Sequence, residues 1–527
     1  MKILISDSVS DSALEILRAE KGWEVVSLTE RQEAQLTEEI QDADALIVRS
    51  ATKVTASLLE HARRLRAVGR AGVGVDNVDL EAATRKGVVV MNTPGGNATS
   101  VAEHTLALLL AVARRIPQAD GLLKQGKWEK KRFLGTELRG KKLGLIGLGQ
   151  IGMEVARLAQ ALQMEVAGFD PYISPLLAGE HGVRLVSLEQ VLEASDFISL
   201  HCSATPETAH LLNARTLGMT KPGVRIVNCA RGELIDEAAL LQALEAGRVA
   251  AAALDVFEKE PPTSLSLVTH PAVVGTPHIA GSTEEAQEIV GIRIAEQVRD
   301  FLRDGIARHA VNLPSVSPEE YRKMQPYLQL GERLGSFLAQ IAGGALEEVR
   351  ISYDGGLAEL NTHLVKNAVL KGMLGQVVSE ESNLINAGAL AQARGIEVVE
   401  SRSARRAAFS NSLGIALKTA GDAASVLGMV GLRDSLRILG INDIDIEAPL
   451  RGTILYIRNQ DVPGVIGRVG TLLGNRSINI ANFALGRNPQ SQQAIGLVNV
   501  DQPVPPAVLE EIRAIPAVRA ALVVEIG

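Results

Sequence analysis

At 527 residues the chain is too long for one hydrophobic core, and length alone implies roughly three or four domains. A net charge of −7 argues against a nucleic-acid-binding surface spread over the whole molecule, while leaving room for a local basic pocket. The two cysteines, Cys202 and Cys229, are too few for a disulfide framework or a cysteine-held zinc site, so no metal is expected and a reducing cytoplasm fits.

The opening MKILISDSVSD reads as a short strand and turn, not a signal peptide. The longest apolar stretch, 106–113, is far short of the about 20 residues that span a bilayer, so no membrane contact is expected. Short β-branched runs at 2–6, 23–28, 45–50, 65–70 and 88–92 alternate with amphipathic stretches, which predicts a parallel sheet covered by helices. Ser100 and Glu103, a hydroxyl and a carboxylate three apart, predict a capped helix start, with the helix running to about Ile116 and leading into a second domain. Strands expected at 142–147, 165–169, 196–200, 224–228, 250–255 and 273–276 make a second doubly wound sheet. Ser282 and Glu285 repeat the capping pattern before a helix expected to reach about Arg303 and stop at Gly305.

The prolines of VNLPSVSP (311–318) predict a linker. From about 319 to 447 helical and strand patterns alternate without a catalytic motif; there Arg402, Arg405 and Arg406 read as a solvated charged face, with an anion site as the alternative. APLRG (448–452) reads as a second joint. The remainder follows the order strand, helix, strand, strand, helix, strand of a ferredoxin-like unit.

Gly147, Gly149 and Gly152 directly follow the apolar KLGLI and open an amphipathic helix. Glycine there makes the tight turn, lets backbone approach a phosphate and lets the helix lie close to the sheet. The helix N-terminus then offers free amides to a pyrophosphate. Asp170 ends the next strand, where a carboxylate accepts hydrogen bonds from a ribose and repels a 2′-phosphate, so NAD is expected over NADP.

Arg231, in NCARGELID, follows the strand VRIVN and lies at the carboxyl edge of the sheet, placed to hold a carboxylate. His278, in TPHIAGST, follows another strand and is the expected acid–base group. Glu260 can bond the far imidazole nitrogen and fix its tautomer, but Glu258 in the same DVFEKEPP segment competes for that part.

Together the glycine-rich segment, NCARGELIDEAAL, ALDVFEKEP and TPHIAGST closely resemble the D-isomer-specific 2-hydroxyacid dehydrogenases. GRAGVGVDNVDLEAATRKGVVVMNTPGGN and GKWEKKRFLGTEL resemble the branch of that family that oxidises 3-phospho-D-glycerate at the start of L-serine synthesis. ILYIRNQDVPGVIGRVGTLLGNRSINI resembles an ACT domain.

The resemblance implies an α/β architecture: two doubly wound Rossmann-like domains, an α/β intervening domain and a C-terminal ferredoxin-like ACT regulatory domain. The expected boundaries are a substrate-binding domain at 1–97 and 282–310, an NAD-binding domain at 98–281, the intervening domain at 315–447 and the ACT domain at 452–527. Arg231, Glu260 and His278 match the catalytic residues, the glutamate being the one before Pro261. Gln150, Ile151, Asp170, Thr205, Cys229, Ala230, Arg231, Asp255, His278, Ile279, Ala280 and Gly281 match cofactor contacts; Val73 stands where relatives often have Thr, so a contact there uses backbone. Arg49, Ser50 and Asn97 match residues holding the substrate's anionic groups, and Lys130 matches a basic residue lent by a neighbouring subunit of a dimer or tetramer. Asn459, Asp461 and Asn479 match an L-serine effector site. Two other readings stay open: a related dehydrogenase of another 2-hydroxy acid, and a non-catalytic NADH sensor of the corepressor type.

Overall fold

A computed structural model describes residues 1–28, 33–314, 317–376, 382–403 and 411–526. The N-terminal sheet contains β1 (Lys2–Ile5), β2 (Glu24–Ser27), β3 (Ala45–Val48), β4 (Ala67–Arg70) and β5 (Val89–Met91), all parallel, in the order β2-β1-β3-β4-β5. β3 is ALIV, buried at every position, as a strand covered on both faces must be.

The second sheet holds β6 (Lys142–Ile146), β7 (Glu165–Phe169), β8 (Arg184–Leu185), β9 (Phe197–Leu200), β10 (Val224–Asn228), β11 (Val249–Leu254) and β12 (Val273–Gly275). Its order, β12-β11-β10-β9-β6-β7-β8, reverses direction between β6 and β9. That reversal opens a crevice at the carboxyl ends of the strands, the place where such sheets bind ligands. Six strands were expected here; the two-residue β8 adds a seventh, too short to leave a hydrophobic pattern.

Two helices connect the lobes. Ala98–Arg114 packs on β10, β11 and β12, while Glu284–Asp304 returns to pack on β4 and β5 and ends at Gly305 as expected. Both capping expectations are corrected. Asn97, not Ser100, precedes the first helix, and the Ser100 hydroxyl instead meets that of Thr283 at 2.7 Å. Thr283, not Ser282, caps the second by accepting from the Ala286 amide. Tertiary contact between the two crossovers claims the hydroxyl that local pattern assigned to a cap. Among the described residues no helix is long and apolar enough to cross a membrane.

The predicted linker begins pinned to β5, the Val311 amide bonding the Val90 carbonyl. Asn312 accepts from the Val90 amide and donates to the Val88 carbonyl, completing the edge of β5 as a partner strand would. Beyond it, the helix Pro318–Ala342 covers a mixed six-stranded sheet of β13 (Leu346–Gly355), β14 (Glu397–Ser403), β15 (Asn411–Thr419), β16 (Ala423–Val430), β17 (Leu436–Ile441) and β18 (Ile444–Pro449). Arg402 closes on Thr362, whereas Arg405 and Arg406 lie outside the described residues.

The last unit, β19 (Gly452–Gln460), the helix Val465–Asn475, β20 (Ile480–Asn488), β21 (Gln493–Val500), the helix Pro506–Arg513 and β22 (Val518–Ile526), has the expected βαββαβ order. Only Leu450 and Arg451 separate it from β18, and Leu450 is fully buried, so 448–452 is a packed junction. Ile454, Tyr456, Leu497 and Val524 share one core with Phe337, Leu338 and Ile438.

Candidate active site

The glycine turn between β6 and the helix Gln150–Ala161 is built by steric exclusion. Gly147 has φ 94°, and a Cβ there would meet the His201 and Cys202 backbone at 2.6–2.7 Å. A Cβ on Gly152 would sit 2.2 Å from the Gly147 carbonyl oxygen, whereas one on Gly149 would meet open space. The turn is therefore crowded towards the protein and clear at Gly149, beside free helix-terminal amides: room and donors for a pyrophosphate.

Asp170 stands at the end of β7, its two oxygens accepting from the Leu148 and Tyr172 amides at 2.8 Å each. Each oxygen keeps a lone pair for a ribose hydroxyl. Gln150 reaches towards the other lobe, its amide filling the space above Gly95. Thr205, on the loop after β9, is exposed and bonded to Thr208 through its amide and hydroxyl. The Val73 carbonyl already accepts from Asn92 at 2.6 Å, so its amide is the backbone group left to use.

Each strand from β9 to β12 delivers its loop to the same edge. At the end of β10, buried Asn228 accepts from the Ala230 amide and donates to the Arg231 carbonyl, fixing the Cys229, Ala230, Arg231 turn. Burial pushes the Cys229 thiol up to about 12, so it carries no thiolate near neutral pH. After β11, Asp255 is completely buried: its oxygens accept from Thr276 Oγ1 at 2.6 Å and from the Ile279 and Ala280 amides at 2.9 Å. Its carbonyl accepts from the His278 amide at 2.8 Å. This carboxylate acts first as a clamp on the 276–280 loop. His104 adds to the clamp from the crossover helix, its Nε2 lying 3.1 Å from Thr276 Oγ1 and 3.5 Å from the Asp255 carboxylate.

The clamped loop holds His278 at φ 54°, a left-handed conformation unusual outside glycine. Its Nδ1 lies 2.7 Å from Glu260 Oε2, while Glu260 Oε1 accepts from the Phe257 amide at 3.2 Å. Glu258 bonds away from His278, to His210 and the Glu237 amide, so of the two glutamates it is Glu260 that meets the imidazole. The Glu260 hydrogen bond raises the His278 pKa above the ordinary histidine value; partial burial and the nearby Arg231 charge oppose it. Burial pushes Glu260 up, but the bond to His278 and its charge outweigh that and leave it below the usual carboxylate range. With Nδ1 committed, Nε2 is the nitrogen left to exchange a proton.

Arg231 faces the other lobe. Its Nε donates to Asp76 Oδ2 at 2.9 Å, Nη2 lies 2.9 Å from the same oxygen, and Nη1 donates to the Ala230 carbonyl. Arg70, at the end of β4, brings a second guanidinium; burial first, then the charges of Arg231 and Arg49, lower it to about 10. The Arg70 Nε is buried without a hydrogen-bond partner among the described residues. Arg49 follows β3, its amide held by Asp7, with Ser50 exposed beside it. Asn97 opens the crossover helix, its Oδ1 buried without a partner among the described residues and its Nδ2 against Gly281. Asp76, Arg70 and His104 were missed in the sequence because each meets groups distant along the chain, and Asn228 because a buried asparagine bracing its own turn carries no motif.

Lys130 is not brought to this cleft. It lies in an exposed turn, Lys130–Arg132, against Arg115 at the far end of the crossover helix. At 1.5 Å per residue that helix of 17 residues separates it from Asn97 by roughly 25 Å. In the C-terminal unit, Asn459 and Asp461 line a cavity of about 720 Å³ with Arg458 and Arg519. Asn479 is not among its lining residues and bonds Asp501 at 2.6 Å.

Comparisons with known protein families match three stretches of the chain. The D-isomer specific 2-hydroxyacid dehydrogenase NAD binding domain matches residues 106–280. The D-3-phosphoglycerate dehydrogenase intervening domain matches 323–442 and the ACT domain 453–517. D-3-phosphoglycerate dehydrogenase of Methanocaldococcus jannaschii is 42% identical over 527 residues, covering 100% of both chains. That of Bacillus subtilis is 41% identical over 527 residues, covering 100% of this chain and 99% of its own. The crystal structure of TT0316 protein from Thermus thermophilus aligns with 59% of this chain and 100% of its own, at 36% identity and a TM-score of 0.54. The chain belongs to the D-3-phosphoglycerate dehydrogenase family, within the D-isomer specific 2-hydroxyacid dehydrogenases.

Proposed function

We propose that this NAD-dependent oxidoreductase converts 3-phospho-D-glycerate to 3-phosphohydroxypyruvate, the first step of L-serine synthesis, with Arg231, Glu260 and His278 as its catalytic residues. The observation that carries the reading is the 2.7 Å contact between His278 Nδ1 and Glu260, at the same sheet edge as Arg231. NAD, held at the glycine turn with its ribose on Asp170, supplies the hydride acceptor. Gln150, Ile151, Thr205, Asp255 and the segment 278–281 complete its cradle.

Within that cleft the Arg231 guanidinium holds the substrate carboxylate, and His278 Nε2 removes the C2 hydroxyl proton. Glu260 stabilises the imidazolium so formed. Arg49, Ser50 and Asn97 bind the remaining anionic oxygens, in a field to which Arg70 adds a charge. Arg231, Arg70 and Arg49 thus set cations against the molecule's net −7 where a phosphorylated acid must enter.

A homo-oligomer completes the site with Lys130 from a neighbouring subunit. Supporting this, the helix Ile116–Lys124 has no buried residue, and Trp128 and Leu134 beside it are 83% and 91% exposed. An apolar surface of this kind marks an interface. The ACT domain takes an amino-acid effector, L-serine, at Asn459 and Asp461, where a carboxylate and an amide can grip its ammonium and carboxylate. L-Serine titration should depress turnover in the wild type and not in Asp461→Asn; equal inhibition of both would remove that site.

The reaction itself is tested by NADH formation with 3-phospho-D-glycerate, D-glycerate and D-lactate. Preference for the phosphorylated acid is expected. Preference for D-lactate would favour a different hydroxyacid dehydrogenase, and no turnover with any of them a sensor.

A further inference from the structure

Arg231 already holds a carboxylate, and that carboxylate comes from the opposite lobe. Asp76 lies on the loop between β4 and the helix Leu80–Arg85, 155 positions before Arg231. Nε and Nη2 form one edge of the guanidinium fork, and both lie 2.9 Å from Asp76 Oδ2. Nη1 gives one N–H to the Ala230 carbonyl. A guanidinium has five N–H groups. With these contacts made, one remains on Nη1 and one on Nη2, the pair that grips a carboxylate two-handed.

Gly74 makes the arrangement sterically possible. A Cβ there would fall 1.8 Å from Arg231 Nη2 and 2.7 Å from Asp76 Oδ2. The backbone of one lobe thus passes close beneath a side chain of the other, and only a residue without a Cβ leaves the guanidinium its place.

We infer that Asp76 is a positioning residue: it holds the inner edge of Arg231 across the cleft so that the outer edge faces the substrate carboxylate, with Gly74 as the floor that admits the pair. This deepens the proposed role of Arg231 and rests on it. An ion pair with a two-thirds exposed carboxylate contributes little to folding. Its worth lies in fixing two χ-rich groups before the substrate arrives.

The test is steady-state kinetics with 3-phospho-D-glycerate on Asp76→Ala, Asp76→Asn, Gly74→Ala, Arg231→Gln and the Asp76→Ala/Arg231→Gln double variant, with NADH affinity measured alongside. Asp76→Ala is expected to lower kcat/KM by about 10-fold, chiefly through a higher KM, with NADH affinity unchanged. Asp76→Asn, whose amide oxygen still accepts from Nε, should recover most of that loss, and Gly74→Ala should reproduce it by steric displacement. In the Arg231→Gln background Asp76→Ala should cost nothing further. An unchanged or lower KM in Asp76→Ala, or an undiminished cost in the Arg231→Gln background, would overturn the inference while leaving the role of Arg231 standing. If Arg231→Gln itself leaves KM and kcat unchanged, the underlying reading fails and takes this one with it.

Discussion

At residue 278 the backbone is left-handed, φ 54°, and three contacts hold it there: the buried Asp255 carboxylate on the two following amides, and the Asp255 carbonyl on its own. The side chain so aimed meets Glu260 at 2.7 Å, and its pKa rises. Proton removal needs the neutral imidazole, so oxidation should increase with pH through a limb above the ordinary histidine value. Glu260→Gln should move that limb to lower pH and reduce kcat; a limb that stays put would separate Glu260 from the base. Stability runs the other way. The pair's contribution is fully present between the unfolded glutamate and histidine pKa values; it is lost as pH rises through the raised folded histidine pKa and as pH falls through the lowered folded glutamate one. Asp170→Ala should weaken NADH and narrow the preference over NADPH, since the charge that repels a 2′-phosphate is gone; comparison of the two dissociation constants reads this directly. Arg231, Glu260 and His278 were legible because each sits in a short motif after an apolar strand. The choice between Glu258 and Glu260 was legible only through the family resemblance, because two glutamates two positions apart in one loop differ only in what they face.

Among the elements, the glycine turn is the one whose sequence and geometry agree at every position. Gly147→Ala should cost about 1–2 kcal/mol for left-handed backbone alone, and more from the contact with the His201 and Cys202 backbone at 2.6–2.7 Å. Reduced thermal stability with weakened NADH binding is expected; unaltered values of both would contradict the crowded turn. The helix starts were less legible. Ser100-x-x-Glu103 and Ser282-x-x-Glu285 carry the capping pattern, yet the ends fall at Asn97 and Thr283 because the two crossover segments pack on each other. A local motif cannot register a partner 183 positions away. The prolines of 311–318 announce a linker, while Asn312 within it bonds the edge of β5 through its side chain.

Across the whole molecule the apolar residues gather into two halves. The dehydrogenase lobes have their own cores and so does the helix-covered face of the ACT sheet, while its other face joins the intervening unit in a shared core, closed by the edge-to-face pair of Phe337 and Tyr456 with ring centroids 6.4 Å apart. Phe337→Ala should destabilise that shared core by about 3–5 kcal/mol. In calorimetry its transition should move down while the one protected by NADH stays in place; movement of both together would argue for a single cooperative unit. The most direct test of the central claim, that His278 is the base, is NADH formation from 3-phospho-D-glycerate by His278→Ala, with NADH affinity measured on the same preparation. Turnover lower by at least about 100-fold with NADH binding retained is the expected result. Turnover equal to that of the wild type would contradict it.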